Sequence, residues 1–460
     1  MPELNQKYQA EITALGSSGS GICRIDGMTV FVDGVCEGDF CEIQITKINA
    51  SYAFARLERI ITPSVFRTNP SCTVFGKCGG CQLMHIRYEK QLALKKQFVF
   101  DALTRIGRLD VSDTELYDTV GMNPPERYRN KMVFPIGKKA DGRICGGFYA
   151  PKSHHIISLS DCRLGDSFAS RCLAAVLSYI KKYQVSVYDE KTHKGLIRRL
   201  FVRCGYHSKE AMLVISANGS ALPKEDALIR SLLSVSQKDY HIKSILLNEN
   251  RERNNLVLGE KNRVLYGNPT IFDTLCGIAF EISPNSFYQV NPVQTEKLYQ
   301  TALDFAGLNG EETVLDLYCG IGTISLCAAR CAARVIGVEI VPQAIENAKQ
   351  NAERNHIQNA EFYAGDTQVI SEKLLREGFS PDVIFLDPPR KGCDAKTIES
   401  VLTMNPKRIV YVSCNPSTLA RDLQTLAANG YALVKVQPVD MFPHTLHVET
   451  VVLMSRKEQK

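Results

Sequence analysis

No run in this 460-residue sequence stays apolar for the roughly 20 residues a membrane-spanning helix needs. The opening MPELNQKYQA holds neither a basic segment nor an apolar one, so no secretory signal is expected there. The chain is therefore expected to be cytoplasmic, where thiols stay reduced. No internal repeat and no low-complexity linker is found, which argues for ordinary folded domains rather than an array. Charge of one sign is scarce too. The 55 Lys and Arg against 49 Asp and Glu leave a net +6, which permits a polyanionic partner without requiring one.

Cysteine, by contrast, is plentiful, with sixteen residues. In a reducing compartment these are candidates for metal ligation, catalysis or packing rather than for disulfides. Cys172, Cys204, Cys276, Cys327 and Cys331 lie in apolar stretches and read as packing. A 44% hydrophobic content suffices for globular cores, and the length suggests about three domains.

The first expected domain, residues 1–62, shows about five short alternating strands punctuated by Gly16, Gly19, Gly27 and Gly34. That pattern predicts a small β-barrel, a fold that binds nucleic acid or serves only as structure. The second, residues 63–270, holds a cysteine-rich stretch and the amphipathic helix IRYEKQLALKKQFVFDALTRIG, then mixed strands and helices of α+β type. The third, residues 271–460, turns to a βαβα pattern. Its strands TVLDLY, RVIGVEI, AEFYAG, DVIFLD, RIVYVS, ALVKVQPV and TVVLMS predict an α/β doubly wound parallel sheet with an antiparallel last strand.

CTVFGKCGGCQLMH sets Cys72, Cys78 and Cys81 in a C-x5-C-x2-C array, with glycines that let the backbone wrap a ligand. Zinc and an iron-sulfur cluster both suit sulfur-only ligation. Cys162 in SDCRLG is the first choice for a fourth sulfur, and Cys145 the second.

VLDLYCGIGTISL reads as a strand, a Gly-rich turn and a helix start, with Asp316 and Tyr318 at the strand end. The third glycine of the dinucleotide fingerprint is missing, which disfavours NAD. Glu339 ends the next strand, where an acid accepts both hydroxyls of a ribose. Asp366 and Asp387 end two more. Bound hydroxyls without a pyrophosphate cradle fit S-adenosylmethionine, although each acid alone also suits a solvated loop or a helix cap. In VYVSCNPSTLARD, Cys414 sits where a further strand stops, as a nucleophile or as a small core residue.

SCNP following DPPR, with PHTLHVE near the end, resembles the RNA uracil-5-methyltransferases, over almost the whole chain. The resemblance implies a TRAM barrel, a class I methyltransferase domain, and a [4Fe-4S] cluster on Cys72, Cys78, Cys81 and Cys162. It places Gln289 of SFYQVNPVQTEKLY, Tyr318, Glu339 and Asp387 on S-adenosylmethionine, with Asp366 beside them. It makes Cys414 the nucleophile and Glu449 the general base. It also implies a 23S ribosomal RNA substrate, since the transfer-RNA relatives usually lack both barrel and cluster, with transfer-RNA uridine-5 methylation the alternative; oligomeric state is open, a monomer with no obligate protein partner being the default.

The chemistry accounts for these residue types. Carbon 5 of uracil becomes nucleophilic only when a thiolate adds at carbon 6, and a base must then take the carbon-5 proton. The base must also leave its stack. RYRNKMVFPIGKKADGR, with six Lys or Arg against Asp141, is the expected RNA surface. Arg129 and Lys131 are its candidate contacts, Tyr128 and Phe134 its stacking candidates, and Lys138 and Lys139 mark a turn. His444 and His447 are open as partners of the site or ordinary polar residues. Competing readings are a base amino-methyltransferase, suggested by DPPR alone, a cytosine-5 enzyme, and an iron-sulfur RNA-binding protein without activity.

Overall fold

The computed structural model describes residues 1–235 and 240–457; the end of the third expected domain, 458–460, lies outside the described residues. Residues 7–62 form one six-stranded sheet, one strand more than the sequence pattern suggests. The extra piece, Ala14–Leu15, is too short to show any periodicity. Along Phe40–Ile48 every second side chain turns inward, so that Cys41, Ile43 and Ile45 are fully buried. The buried carboxylate of Asp39 ties this sheet to the chain that leaves it: it accepts from Ser64 N at 2.9 Å and from Arg67 Nε at 2.7 Å.

The central sheet has seven strands, in the order 156–158, 144–149, 131–138, 197–204, 210–217, 241–249 and 261–267. The helices Ser167–Lys182 and Glu225–Leu233 cover one face, against Leu200, Val202, Leu213 and Ile215. The opposite face, through Phe201, Met212 and Val214, joins a core shared with Phe280, Leu298 and Val314 of the C-terminal part. Ile197–Cys204 is consequently buried along its whole length. Two stacking expectations are corrected: Phe134 is fully buried under the helices of this sheet and Tyr128 nearly so in a separate cluster with Met84, Met122 and Leu164, and neither can stack on RNA bases.

The C-terminal sheet runs 360–364, 334–339, 313–317, 383–386, 408–413, 449–456 and 431–439, with Glu115–Leu116 at the far edge. The first five are mutually parallel and 449–456 is antiparallel to both neighbours, as the sequence pattern predicts. The helix expected over 86–107 runs from Tyr88 to Asp101 and widens into a π-turn, Ala102–Ile106. Its Val99, Ala102 and Leu103 pack with Leu419, Ala420 and Leu423, so this early segment completes the C-terminal core. Cys331 is exposed, against the packing role expected of it, because its helix ends at Ala329 and the thiol falls in the following turn. Among the described residues no helix is long and apolar enough to cross a membrane.

Candidate active site

Parallel strands that end on one edge of a sheet bring their following loops together, and here the loops after all five parallel strands line a cavity of about 700 Å³. After Leu317 the backbone turns sharply. Tyr318 is held in the left-handed region at φ 71°, followed by Gly320 at 57° and Gly322 at 83°, and the helix Thr323–Ala329 begins there. The strained Tyr318 is fixed by its N–H to Val338 O at 2.9 Å and by its hydroxyl to Thr397 Oγ1 at 3.2 Å. Buried beneath it, Asp316 accepts from Ser325 Oγ at 2.5 Å and so braces the helix start without lining the cavity.

Glu339 is clamped at the end of the neighbouring strand. Its Oε2 accepts from Gly320 N at 3.2 Å and its Oε1 from Val341 N at 3.0 Å, leaving each oxygen a further lone pair. Asp366 faces the same cavity while its side chain caps the helix Thr367–Arg376 through Gln368 N at 2.9 Å. Asp387 is half-buried at the cavity wall, and desolvation there pushes its carboxyl up to about 7.

Cys414 follows Ser413, the last residue of its strand, half-buried. The next residue explains the Cys-Asn-Pro order: Asn415 caps the helix Pro416–Ala428 through Ser417 N at 3.1 Å, and its Nδ2 donates to Arg390 O at 3.1 Å. The thiol loop and the DPPR loop are thereby locked together. Burial pushes the Cys414 thiol up to about 11, helped by the charge of Glu449 and opposed by the Arg390 guanidinium. Glu449 is buried at the start of the antiparallel strand, and burial, then Asp387, pushes it up to about 8, again against Arg390.

Gln289, Tyr318, Glu339, Asp366, Asp387, Cys414 and Glu449 thus all line one cavity. Arg203, fully inside the interface, donates to Ser283 O at 3.1 Å and Ser286 O at 2.9 Å and sets the loop from which Gln289 projects. Three lining residues escaped the sequence reading although they stand in motifs it singled out. Arg390 belongs to DPPR, Phe287 precedes Gln289 and is 69% exposed at the rim, and Phe442 precedes PHTLHVE. His447 also faces the cavity, whereas His444 is buried behind it.

Arg129 and Lys131, the candidate RNA contacts, are half-buried. They line the catalytic cavity and also a second one, of about 230 Å³, beside it. Burial, Arg203 and Arg129 together push the Lys131 ammonium down to about 8. The second cavity is lined by Cys72, Cys78, Cys81 and Cys162 among Val74, Phe75, Met84 and Leu164. Cys145 is buried in the strand Ile144–Tyr149 and does not reach it. Burial pushes the Cys81 thiol up to about 12, and those of Cys78 and Cys162 upward as well. Among the described residues no three His, Cys, Asp or Glu side chains close around a single metal ion.

Residues 274–457 match the tRNA (Uracil-5-)-methyltransferase family and residues 3–57 match the TRAM domain. An RNA methyltransferase of Clostridium tetani is 46% identical over 98% of this chain and 96% of its own length. One from Listeria innocua is 44% identical, with 98% of each chain covered. Among solved structures, the Pyrococcus abyssi tRNA (uracil-54, C5)-methyltransferase in complex with S-adenosyl-L-homocysteine superposes with a TM-score of 0.76 at 27% identity, covering 97% of this chain and 99% of that one. The chain belongs to the TRAM-containing RNA uracil-5-methyltransferases, enzymes that take their methyl group from S-adenosylmethionine.

Proposed function

We propose that this enzyme methylates carbon 5 of a uridine in 23S ribosomal RNA through a covalent bond between Cys414 and carbon 6 of the base. The observation that carries the reading is the convergence of Cys414, Glu449 and the strand-end acids on one cavity. Its volume of about 700 Å³ falls within the range of small-molecule sites. The turn at Gly320 is open where a side chain would stand, and Glu339 beside it is already oriented by two backbone amides. Glu339 is therefore the residue for the ribose of S-adenosylmethionine, with Gln289, Tyr318, Asp366 and Asp387 around the remainder.

When bound, S-adenosylmethionine supplies an electrophilic methyl group. Cys414, deprotonated to a thiolate that the Arg390 guanidinium favours, would add to carbon 6 and move the ring electrons onto the carbon-4 oxygen as an enolate, in a cavity that Arg129, Lys131 and Arg390 make cationic. Carbon 5 would then take the methyl group as its bond to the sulfonium sulfur breaks, leaving S-adenosylhomocysteine. Glu449 removes the carbon-5 proton, the carbon 5–carbon 6 double bond re-forms, and the thiolate leaves.

The test is tritium release. RNA carrying tritium at carbon 5 of its uridines is incubated with enzyme and S-adenosylmethionine, and label is expected in water in step with methyl transfer. Methyl transfer without tritium release would refute carbon-5 chemistry. Ribosomal and transfer RNA are tested side by side. The ribosomal assignment rests on the resemblance of the sequence, whereas the transfer-RNA reading is favoured by the P. abyssi enzyme, whose similarity extends over 97% of this chain.

For the cysteine-lined cavity we infer a [4Fe-4S] cluster. Zinc needs its sulfurs about 2.3 Å from one ion. Four thiols, those of Cys72, Cys78, Cys81 and Cys162, around a space of about 230 Å³ support this reading. Anaerobically purified protein is expected to absorb near about 400 nm and to lose that band in Cys81→Ser. Stoichiometric zinc with no iron would overturn the inference.

The RNA path is supported by a different surface from the one the sequence suggests. Phe31, Tyr52 and Phe54 form a mutually contacting group on the barrel, with ring centroids 5.6–5.8 Å apart. They line a cleft that reaches Cys78, Cys81 and Lys152. Aromatic faces beside a cation suit unstacked bases.

A further inference from the structure

Asp440–His447 joins the last two strands, carries Phe442 and His447 into the catalytic cavity and leads directly to Glu449. It has no regular secondary structure, yet its successive carbonyls are gripped by groups from distant parts of the chain. Asp440 O accepts from Gln294 Nε2 at 3.1 Å, and Met441 O from Asn291 Nδ2 at 2.9 Å. Phe442 O accepts from Lys95 Nζ at 3.1 Å, and Pro443 O from the Tyr128 hydroxyl at 3.1 Å. His444 O accepts two backbone N–H groups, those of Gln82 at 3.0 Å and Leu83 at 2.9 Å, immediately after Cys81. His444 itself stands at φ 67°, pinned by its N–H to Gln91 Oε1 at 3.1 Å.

Satisfied carbonyls are what any buried loop requires. The ion pair at the root of this strap is not. Lys95 and Asp440 are both 0% exposed, with Nζ 2.5 Å from Oδ1, while the Tyr88 hydroxyl donates to Oδ2 at 2.9 Å. A buried pair of this kind loses in desolvation much of what it gains in attraction, and an apolar pair of equal size is often as stable. Stability alone therefore does not account for it. What the pair does provide is direction: the ammonium bridges a side chain and a backbone carbonyl of the strap, from a helix that contributes nothing to the cavity.

We infer that Lys95, acting with Tyr88 and Asp440, is a positioning residue that sets the strap so that the Glu449 carboxylate meets carbon 5 of the bound base. The inference rests on the reading of Glu449 as the general base. The amides of Gln82 and Leu83 give the cysteine loop a grip on the same strap.

The test variant is Lys95→Met/Asp440→Asn, which removes both charges together. It is expected to bind S-adenosylmethionine and to form the RNA–enzyme adduct as the wild type does. Release of the methylated product should fall about 100-fold, the cost of a misplacement of about 1 Å, so the adduct accumulates on a denaturing gel. The milder Tyr88→Phe removes one hydrogen bond from Asp440 and should slow release about fivefold. If the double variant does not fold, Tyr88→Phe decides alone. Binding, adduct formation and release falling together would reduce the network to scaffold, and unchanged release would overturn the inference. Glu449→Gln run in parallel separates the two failures. If it accumulates no adduct, the base assignment falls; if it does and Tyr88→Phe and the double variant both turn over normally, only the positioning role falls.

Discussion

Cys414→Ala is expected to lower methyl transfer to RNA by about 10⁴-fold or more, the scale on which loss of a covalent nucleophile acts. S-adenosylmethionine should bind as before, because the groups assigned to it stand on other loops: Glu339 on Gly320 and Val341, Tyr318 on Val338 and Thr397. Calorimetric titration of the ligand checks the second half, and single-turnover methylation checks the first. Retained turnover would return Cys414 to the packing cysteines. The environment of the thiol adds a pH signature. Burial and the neighbouring Glu449 hold it up to about 11, so below that value the thiolate fraction, and with it the rate of adduct formation, rises about tenfold per pH unit. Arg390 works in the opposite direction. Arg390→Met should therefore slow adduct formation more than it weakens ligand binding.

The parts of the site visible in the sequence were those set by local rules. A parallel strand buried on both faces is a run of Val, Ile and Leu, and the residue after it stands at the sheet edge. Glu339, Asp387 and Cys414 could be placed on that basis. Lys95 could not. A lysine in an amphipathic helix reads as solvent-facing until its partner is known, and Asp440 is 345 residues away in sequence. Tyr128 and Phe134 failed for a related reason. Sequence alternation says nothing about what covers each side chain, and here the helices of the central sheet cover Phe134 while Met84, Met122 and Leu164 cover Tyr128. The strand Glu115–Leu116 has two residues and no pattern at all, yet it closes the edge of the C-terminal sheet through Lys435 and Val436. Cysteines divide in the same way. Spacing brought together Cys72, Cys78 and Cys81, which are close in sequence, and the polar flanks of Cys162 in SDCRLG singled it out before Cys145, which does not line their cavity.

Glu449→Gln is expected to separate the two halves of the reaction. The adduct with RNA should form, since Cys414 is intact and loses a repelling carboxylate. Proton removal from carbon 5 should slow by about 10²- to 10⁴-fold, the usual worth of a positioned base. A methylated RNA–enzyme species resistant to denaturant would then accumulate, visible as a shifted band. In the wild type the same step should follow the titration of this carboxyl. Its value of about 8 means that the base is mostly protonated at pH 7, so product release climbs with pH and levels off above about 8. The variant should lack that limb. The sign for stability is the reverse. An acid raised from its unfolded value near about 4.3 holds its proton more tightly in the folded state, so stability is lost as pH rises from there through about 8. The variant escapes that loss, and its melting temperature should exceed the wild type's by a margin that widens between pH 6 and pH 9. A base that costs the fold stability in the pH range where it works belongs to the chemistry and not to the packing. A variant that turned over normally, or melted in parallel with the wild type across that range, would reject Glu449 as the residue that finishes the reaction.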